Sequence, residues 1–304
     1  MINYLMFIGT VGGIYALLSL SLHVIWGLTG MVNLGLAGFF ALGAYASALL
    51  TVKAGFSIWL GVLAGALFAA AGGVVAAVAT RRLRGDYLAI VTLGFAEVLR
   101  LVAANETWLT RGADGISGIP RPLRAELGDD FNLAYFIMVS AIVALVWFGV
   151  RQLAASPYGR VLRAVRDDPQ VAAVAGKNVL RFKIQAFALS ATIAGLGGAL
   201  YGHFISYVAP DIFTPIVTIY IFLAVTAGGA ANSSGVVLGA YIVMFILEST
   251  RFAMQGIPGL SELQVAALRE ALIGVLLILL MHLRPQGLMP EPRHYAPPGP
   301  RGAA

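Results

Sequence analysis

The chain has 304 residues, of which 59% are hydrophobic and only 11% charged. A soluble domain carries about 25% charged residues, and a mean hydropathy of +0.86 leaves too little polar surface to coat a water-soluble globule. The absence of cysteine excludes disulfides, iron–sulfur clusters and thiolate metal sites. Four scattered histidines, His23, His203, His282 and His294, show no metal-ligand spacing. No cofactor is implied.

Along the chain, residues 1–80 hold one charged side chain, Lys53, and residues 184–247 hold one, Asp211. The first residues lack the positive flank and small-residue cleavage site of a signal peptide, so the first apolar run reads as a retained span. Apolar runs of about 20 residues match a hydrocarbon core of about 30 Å. In lipid such runs satisfy their backbone as helices, and the alternation of a membrane barrel is missing. The predicted spans are 4–26, 34–53, 57–80, 87–104, 131–150, 184–208, 215–230, 235–253 and 266–283. The fold class is therefore an all-α integral membrane protein, a polytopic helical bundle of about nine spans, with eight to ten as the range. Residues 1–290 form one transmembrane domain, and the Pro- and Gly-rich stretch 291–304 reads as a disordered cytoplasmic tail. The span at 215–230 is short, bounded by Pro215 and by Gly228 and Gly229. It reads as broken or re-entrant. Leu42-Gly43-Ala44-Tyr45 recurs as Leu238-Gly239-Ala240-Tyr241, each after a Gly-rich interruption, which suggests an internal repeat.

Loop charge sets the orientation. Residues 151–183 carry seven cations against Asp167 and Asp168, a net +5 of the chain's +6. The cluster Arg81-Arg82-Leu83-Arg84 and the stretch 284–304 are also net basic, whereas 105–130 has three arginines against five acids. Nine spans put the basic segments on one side, the cytoplasm, and the acidic loop outside. The N-terminus is then outside and the C-terminus inside. The basic balance reflects this bias and not nucleic-acid binding.

Within 151–183, Ser156-Pro157 reads as a helix N-cap with proline at the first position. Arg160, Arg163 and Arg166 recur every third residue and share one broad face, with Val161, Leu162 and Val165 opposite. Asp168-Pro169 starts a second short helix, which Gly176 ends in a left-handed conformation. Such a pair suits docking of a partner, or a basic loop held against anionic headgroups. Interrupted segments at Thr29–Gly35, Thr92–Phe95 and Val225–Gly229 free backbone groups that can face water or a solute. They make Asn33, Thr92, Gly94, Phe95, Gly228 and Gly229 the candidate lining of a translocation path. Glu97 and Arg100, three residues apart, form a local pair.

Five stretches carry a resemblance. Leu83–Glu97, Gly112–Pro120, Ser156–Gly176, Ala194–Tyr201 and Arg284–Leu288 resemble, in order, signatures of the branched-chain amino acid ABC permease family, and specifically the longer-type subunit of its pair. The resemblance covers residues 20–290. It implies a bacterial inner-membrane permease subunit that forms the path for a small polar nutrient, a branched-chain or related amino acid. It implies four kinds of neighbour: a homologous second permease, two ABC ATPase subunits, a soluble substrate-binding protein and the lipid bilayer. It also makes 151–183 the loop that couples to the ATPase, with Arg160, Arg163, Arg166, Asp168, Gln170, Ala172 and Gly176 as the coupling residues. Gln170-Val171-Ala172 departs from the E-A-A that opens this loop in ABC importers, while Gly176 keeps its place. No Walker A sequence is present: Gly176-Lys177 is followed by Asn178. The ATPase is then a separate chain, and this one is not an enzyme. A secondary carrier or channel is the alternative, and would need buried coupling charges or a selectivity ring. An intramembrane enzyme would have only His203 with Ser206, without an orienting third group.

Overall fold

A computed structural model describes residues 2–83, 85–122, 124, 128–255, 262–284 and 286–291. The remainder of the proposed tail, 292–304, lies outside the described residues, as does the side chain of Arg251. The helices are α1 (Ile2–Leu22), α2 (Leu36–Val52), α3 (Ile58–Ala79), α4 (Gly85–Asn105), the single turn α5 (Thr107–Thr110), α6 (Phe131–Ala155), α7 (Pro157–Asp167), α8 (Pro169–Val174), α9 (Val179–Ile205), α10 (Pro215–Gly228), α11 (Ser233–Gln255) and α12 (Glu262–Leu283). Among the described residues, six segments are long and apolar enough to cross a membrane, beginning with Asn3–Gly27; α2 and α10 are shorter apolar helices.

Several helices outrun the apolar stretch that announced them. Thus α9 starts at Val179, because Asn178 caps it by accepting from the Arg181 amide at 3.1 Å. Hydropathy marks the oily part of a helix, whereas capping marks its end. The last turn of α1 widens into a π-helix at His23–Gly27.

The bundle is centred on α1, whose apolar side chains from Ile14 to Ile25 are almost wholly buried. It packs on α6, α9 and α11, while α2, α3 and α9 form a second tight group. Lipid gives helices no hydrophobic reason to associate, so close backbone approach matters. A Cβ on Gly43 would overlap the Gly195 carbonyl, and one on Gly198 would overlap the Phe40 carbonyl. The Gly-x-x-x-Gly pairs at 9/13, 61/65 and 198/202 all meet other parts of this same chain. The outer faces of α3 and α6, with Leu63, Leu67, Phe68, Ile137 and Leu145, are exposed and apolar, as lipid contact requires.

Contacts sort the loops into two ends. At one end Lys53 Nζ donates to the Trp108 and Leu109 carbonyls at 2.8 and 2.6 Å. There a two-residue ladder pairs β1 (Ile116–Ser117) antiparallel with β2 (Tyr207–Val208), in the register Ile116 to Val208. No sequence periodicity announced it. The His203 ring bridges Pro120 O at 2.7 Å and Ser47 Oγ at 2.9 Å. The carbonyl can only accept, so Nδ1 holds the proton and Nε2 accepts from Ser47. Glu97 and Arg100 pair at 2.5 Å, and Arg100 reaches Asp211 at 3.9 Å. At the other end lie Gly27, the helix pair α7–α8, the 228–232 turn and the segment 286–291.

The segment leading into α10 sits deep. Phe213 packs on Phe40 and Tyr45 at ring separations of 5.1 and 5.8 Å, level with the middle of α2 rather than its tip. With 14 residues, α10 is about 21 Å long. It starts at this depth and ends beside Met289, at the α7–α8 end.

Replacing Gly198 with Ala should therefore force α9 off α2, because the atom in the way is backbone and cannot rotate aside. A loss of about 1–3 kcal/mol is the scale of such overpacking. Thermal unfolding in detergent should show a lower midpoint for Gly198→Ala. Gly149→Ala, which enters open space, should leave it unchanged. Equal midpoints for both would contradict the close approach.

Candidate functional site

The polar segment between α6 and α9 is folded throughout. Ser156 accepts from the Gly159 amide at 3.3 Å and opens α7, with Pro157 in the first turn. The buried face of α7 is Gly159, Leu162 and Val165. Asp168 Oδ1 accepts from the Gln170 and Val171 amides at 2.7 and 3.2 Å and opens α8. The helix closes on Gly176, which has φ +76°. There the Lys177 amide bonds the Ala172 carbonyl at 3.1 Å and the Gly176 amide bonds that of Ala173 at 3.0 Å. This is a Schellman closure, for which glycine is the fitting residue. Tyr158 packs on Phe182 at 5.3 Å, and burial raises its phenol pKa above the usual value.

Between α7 and α8 lies a groove of about 410 Å³, lined by Arg160, Val161, Ala164, Asp168, Val171 and Ala172 among others. Val171 on its wall is 65% exposed, and Val174, three residues on in α8 and outside the groove, is 90% exposed. An exposed valine at the polar end of a membrane protein has no lipid tail to meet.

The seven predicted coupling residues divide. Arg160 and Gln170 are exposed, and Ala172 is buried under the groove. Asp168 and Gly176 serve the backbone as cap and closure. The three arginines do not share one face. Arg163 turns back to the Ala154 carbonyl at 2.9 Å, and Arg166 reaches the Gly27 carbonyl at 2.8 Å and Glu291 at 3.2 Å. A three-residue step on a helix falls 60° short of a full turn. Two such steps carry Arg166 about 120° round from Arg160, toward the bundle.

The six path candidates also fall in different places. Asn33 and Thr92 are buried and close together. Thr92 Oγ1 accepts from the Leu34 amide at 3.1 Å, and Asn33 Oδ1 accepts from the Gly35 amide at 2.8 Å. Thr218 Oγ1 of α10 takes the Ala37 amide at 3.2 Å. Three side chains from three segments thus receive amides just before and at the start of α2, and Asn33 Nδ2 is buried without a hydrogen-bond partner. Phe95 packs on Phe39 at 5.7 Å. Gly94 lies on the exposed face of α4 with Ile90 and Val98, away from Thr92. Gly228 and Gly229 lie at the α7–α8 end, where a Cβ on either would overlap the backbone of Gly235 or Met289. What the sequence reading missed at this end is the segment 286–291. Its Leu288 and Met289 amides bond the carbonyls of Ala227 and Gly228 at 2.8 and 3.0 Å. Asn232 immediately precedes α11 and accepts from the Ser234 and Gly235 amides at 3.0 and 3.2 Å, whereas Asn33 lies three residues before α2 and bonds only the amide of Gly35, the residue that precedes that helix.

Residues 4–281 match the family described as the permease component of branched-chain amino acid transport systems. The chain belongs to this family. It is 35% identical to the high-affinity branched-chain amino acid transport system permease protein LivM of Escherichia coli (strain K12), over 94% of this chain and 70% of that one. It is 28% identical to the probable branched-chain amino acid transport permease protein LivM of Methanocaldococcus jannaschii, over 94% and 93%. The permease protein LivH of Escherichia coli (strain K12) is 24% identical over 93% of each chain. No solved structure matches. Family membership agrees with the multi-pass bundle and with a transport subunit that carries no ATPase motif of its own.

The cap at Asp168 can be tested directly. Asp168→Ala should cost about 1 kcal/mol of local stability, so exchange at the Gln170 and Val171 amides should quicken about fivefold. Asp168→Asn, which keeps the acceptor, should stay within about twofold. Equal protection in the Ala variant would remove Asp168 from the role of cap.

Proposed function

We propose that this chain is the LivM-type permease subunit of an ABC importer for branched-chain or closely related amino acids, with its α7–α8 pair as the docking and coupling element for a separate ATPase. The observation that carries the reading is the groove. A capped helix pair presents exposed valines at the end of the molecule where the basic segments gather, in a chain that lacks the ATPase motif. An anionic headgroup surface would need the arginines turned outward, whereas Arg163 and Arg166 turn in.

In this reading residues 1–290 are one permease domain of nine spans in a bacterial inner membrane. The basic end lies in the cytoplasm with the C-terminus, and the N-terminus lies outside. Two ATPase subunits, a soluble binding protein and a homologous second permease complete the importer. That LivM and LivH relatives occur in one organism supports a heterodimer. The recurrence of Leu42-Gly43-Ala44-Tyr45 in α2 as Leu238-Gly239-Ala240-Tyr241 in α11 supports an internal repeat. The path follows the two breaks past Asn33, Thr92 and Phe95 toward Gly228 and Gly229. Gly94 then borders the path only where the second permease closes the wall.

Two experiments bear on this. The chain has no native cysteine, so Lys177→Cys and Ser117→Cys can each be probed with an impermeant thiol reagent on intact cells. Labelling at position 117 and protection at 177 is expected; the reverse would invert the orientation. For docking, Val171→Asp with Val174→Asp should strip the ATPase from the purified complex and lower uptake by roughly a hundredfold, the scale of burying an unpaired charge. An ATPase still bound at wild-type affinity would place its docking site elsewhere.

A further inference from the structure

Three parts of the molecule converge on Arg166 at the end of α7. Its Nη1 donates to the Gly27 carbonyl at 2.8 Å, and its Nη2 meets the two Glu291 oxygens at 3.2 and 3.3 Å. Nε lies 3.3 Å from Asp167. The stem crosses Gly30, where φ is +68° and a Cβ would stand 2.9 Å from Arg166 Cγ. A side chain at position 30 would push the arginine away.

Each contact leads into the membrane bundle. Gly27 ends the π-helical turn of α1, and its carbonyl is one of those a helix end leaves without an internal partner. One turn earlier His23 Nδ1 bonds the Ala230 carbonyl at 2.7 Å, which ties α1 to the α10–α11 turn. Glu291 closes the segment that bonds the last turn of α10 through Leu288 and Met289. The same segment accepts from Asn232 Nδ2 at the Pro290 carbonyl, 3.2 Å away. The covalent exits of the helix pair lead to α6 and α9. Arg166 adds a third exit, to α1 and α10, the helices that flank both breaks.

We infer that Arg166 is a positioning residue that carries displacement of the α7–α8 pair into α1 and α10, and that the segment 286–291 holds it in register through Glu291. This rests on the coupling reading above but gives Arg166 a task other than touching the ATPase. A guanidinium suits the task, because it donates along fixed directions to a carbonyl and a carboxylate at once. The ATPase shifts the membrane helices only through contacts that differ between its states, and a fixed strut passes such a difference on.

The test uses the whole importer, both permeases with the ATPases and the binding protein, in proteoliposomes. The readout is substrate moved per ATP hydrolysed, which a loss of assembled complex alone would not change. Arg166→Ala should lower that ratio about tenfold or more, the scale of losing charge-assisted hydrogen bonds, and Glu291→Gln about threefold. Both variants should keep their ATPases. Arg166→Lys, which keeps the charge and a donor, should recover part of the ratio. An unchanged ratio in both Arg166→Ala and Glu291→Gln overturns the inference, as does lower uptake that tracks the amount of complex alone. Failure of the docking reading would look different: the aspartates at 171 and 174 would leave the ATPase bound.

Discussion

In a bilayer every backbone amide and carbonyl that leaves a helix must find its partner inside the protein. This chain interrupts its membrane helices at 28–35 and again at 229–232, and much of its polar chemistry follows from those two breaks. Asn33, Thr92 and Thr218 receive amides just before and at the start of α2. Asn232 receives those that open α11. Leu288 and Met289 supply donors to the carbonyls at the end of α10, and Arg166 supplies one to Gly27. A bare break would cost several kcal/mol for each unpaired group. The partners come from far along the chain, so each break becomes a crossroads of segments that must fold together.

The second constraint is steric. Helices in lipid are held by close packing rather than by expulsion of water, and α2, α3 and α9 approach through Gly43, Gly65, Gly195 and Gly198. Glycine weakens a helix in water through its freedom in the unfolded chain, and here it admits the neighbouring backbone. Among the described residues no Asp, Glu, Lys or Arg is fully buried. The buried polar groups that join helices are hydroxyls, such as Ser21 on Ser190 at 2.9 Å, and the rings of His23 and His203. A carrier driven by protons or sodium would place carboxylates in such positions. An importer driven by a separate ATPase has no such need.

Much of this was legible in sequence because it is local. Hydropathy located the long helices. Ser156-Pro157, Asp168-Pro169 and Gly176 announced two capped helices and a left-handed closure, and the geometry agrees at each point. Glu97 and Arg100 paired as their spacing requires. What was illegible depends on distant partners or on angle. The three arginines read as one face because spacing alone does not fix where a long side chain ends. Gly94 and Thr92 read as one lining, yet residues two apart on a helix point about 160° away from each other. The ladder between Ile116 and Val208 joins two-residue strands too short to show a period. The segment 286–291 straddles the boundary read between domain and tail, and its role appears only against the carbonyls it meets.

The two ends of the bundle are fastened differently, and the difference bears on how it can move. At the acidic end the loop 112–121 is fixed to the end of α9 by main-chain pairing and by buried polar side chains. Ser206 Oγ donates to the Ile119 carbonyl at 2.6 Å and Arg121 to that of Ile205 at 3.0 Å, beside the His203 bridge. These bonds are part-buried, and the Ser47–His203 bond beside them is buried, so opening them costs up to about 1–3 kcal/mol for each group left unmet. At the basic end the helix pair α7–α8 is tied to α1 and to the segment 286–291 through Arg166, whose partner Glu291 is 41% exposed. Water can replace that carboxylate at small cost, as it does for exposed ion pairs generally. Displacement entering through α7 and α8 therefore meets its least resistance where α1 gives way to the 28–35 break and α10 to the 229–232 turn, not at the opposite end. Those are also the places where backbone amides already rely on side chains rather than on the helix.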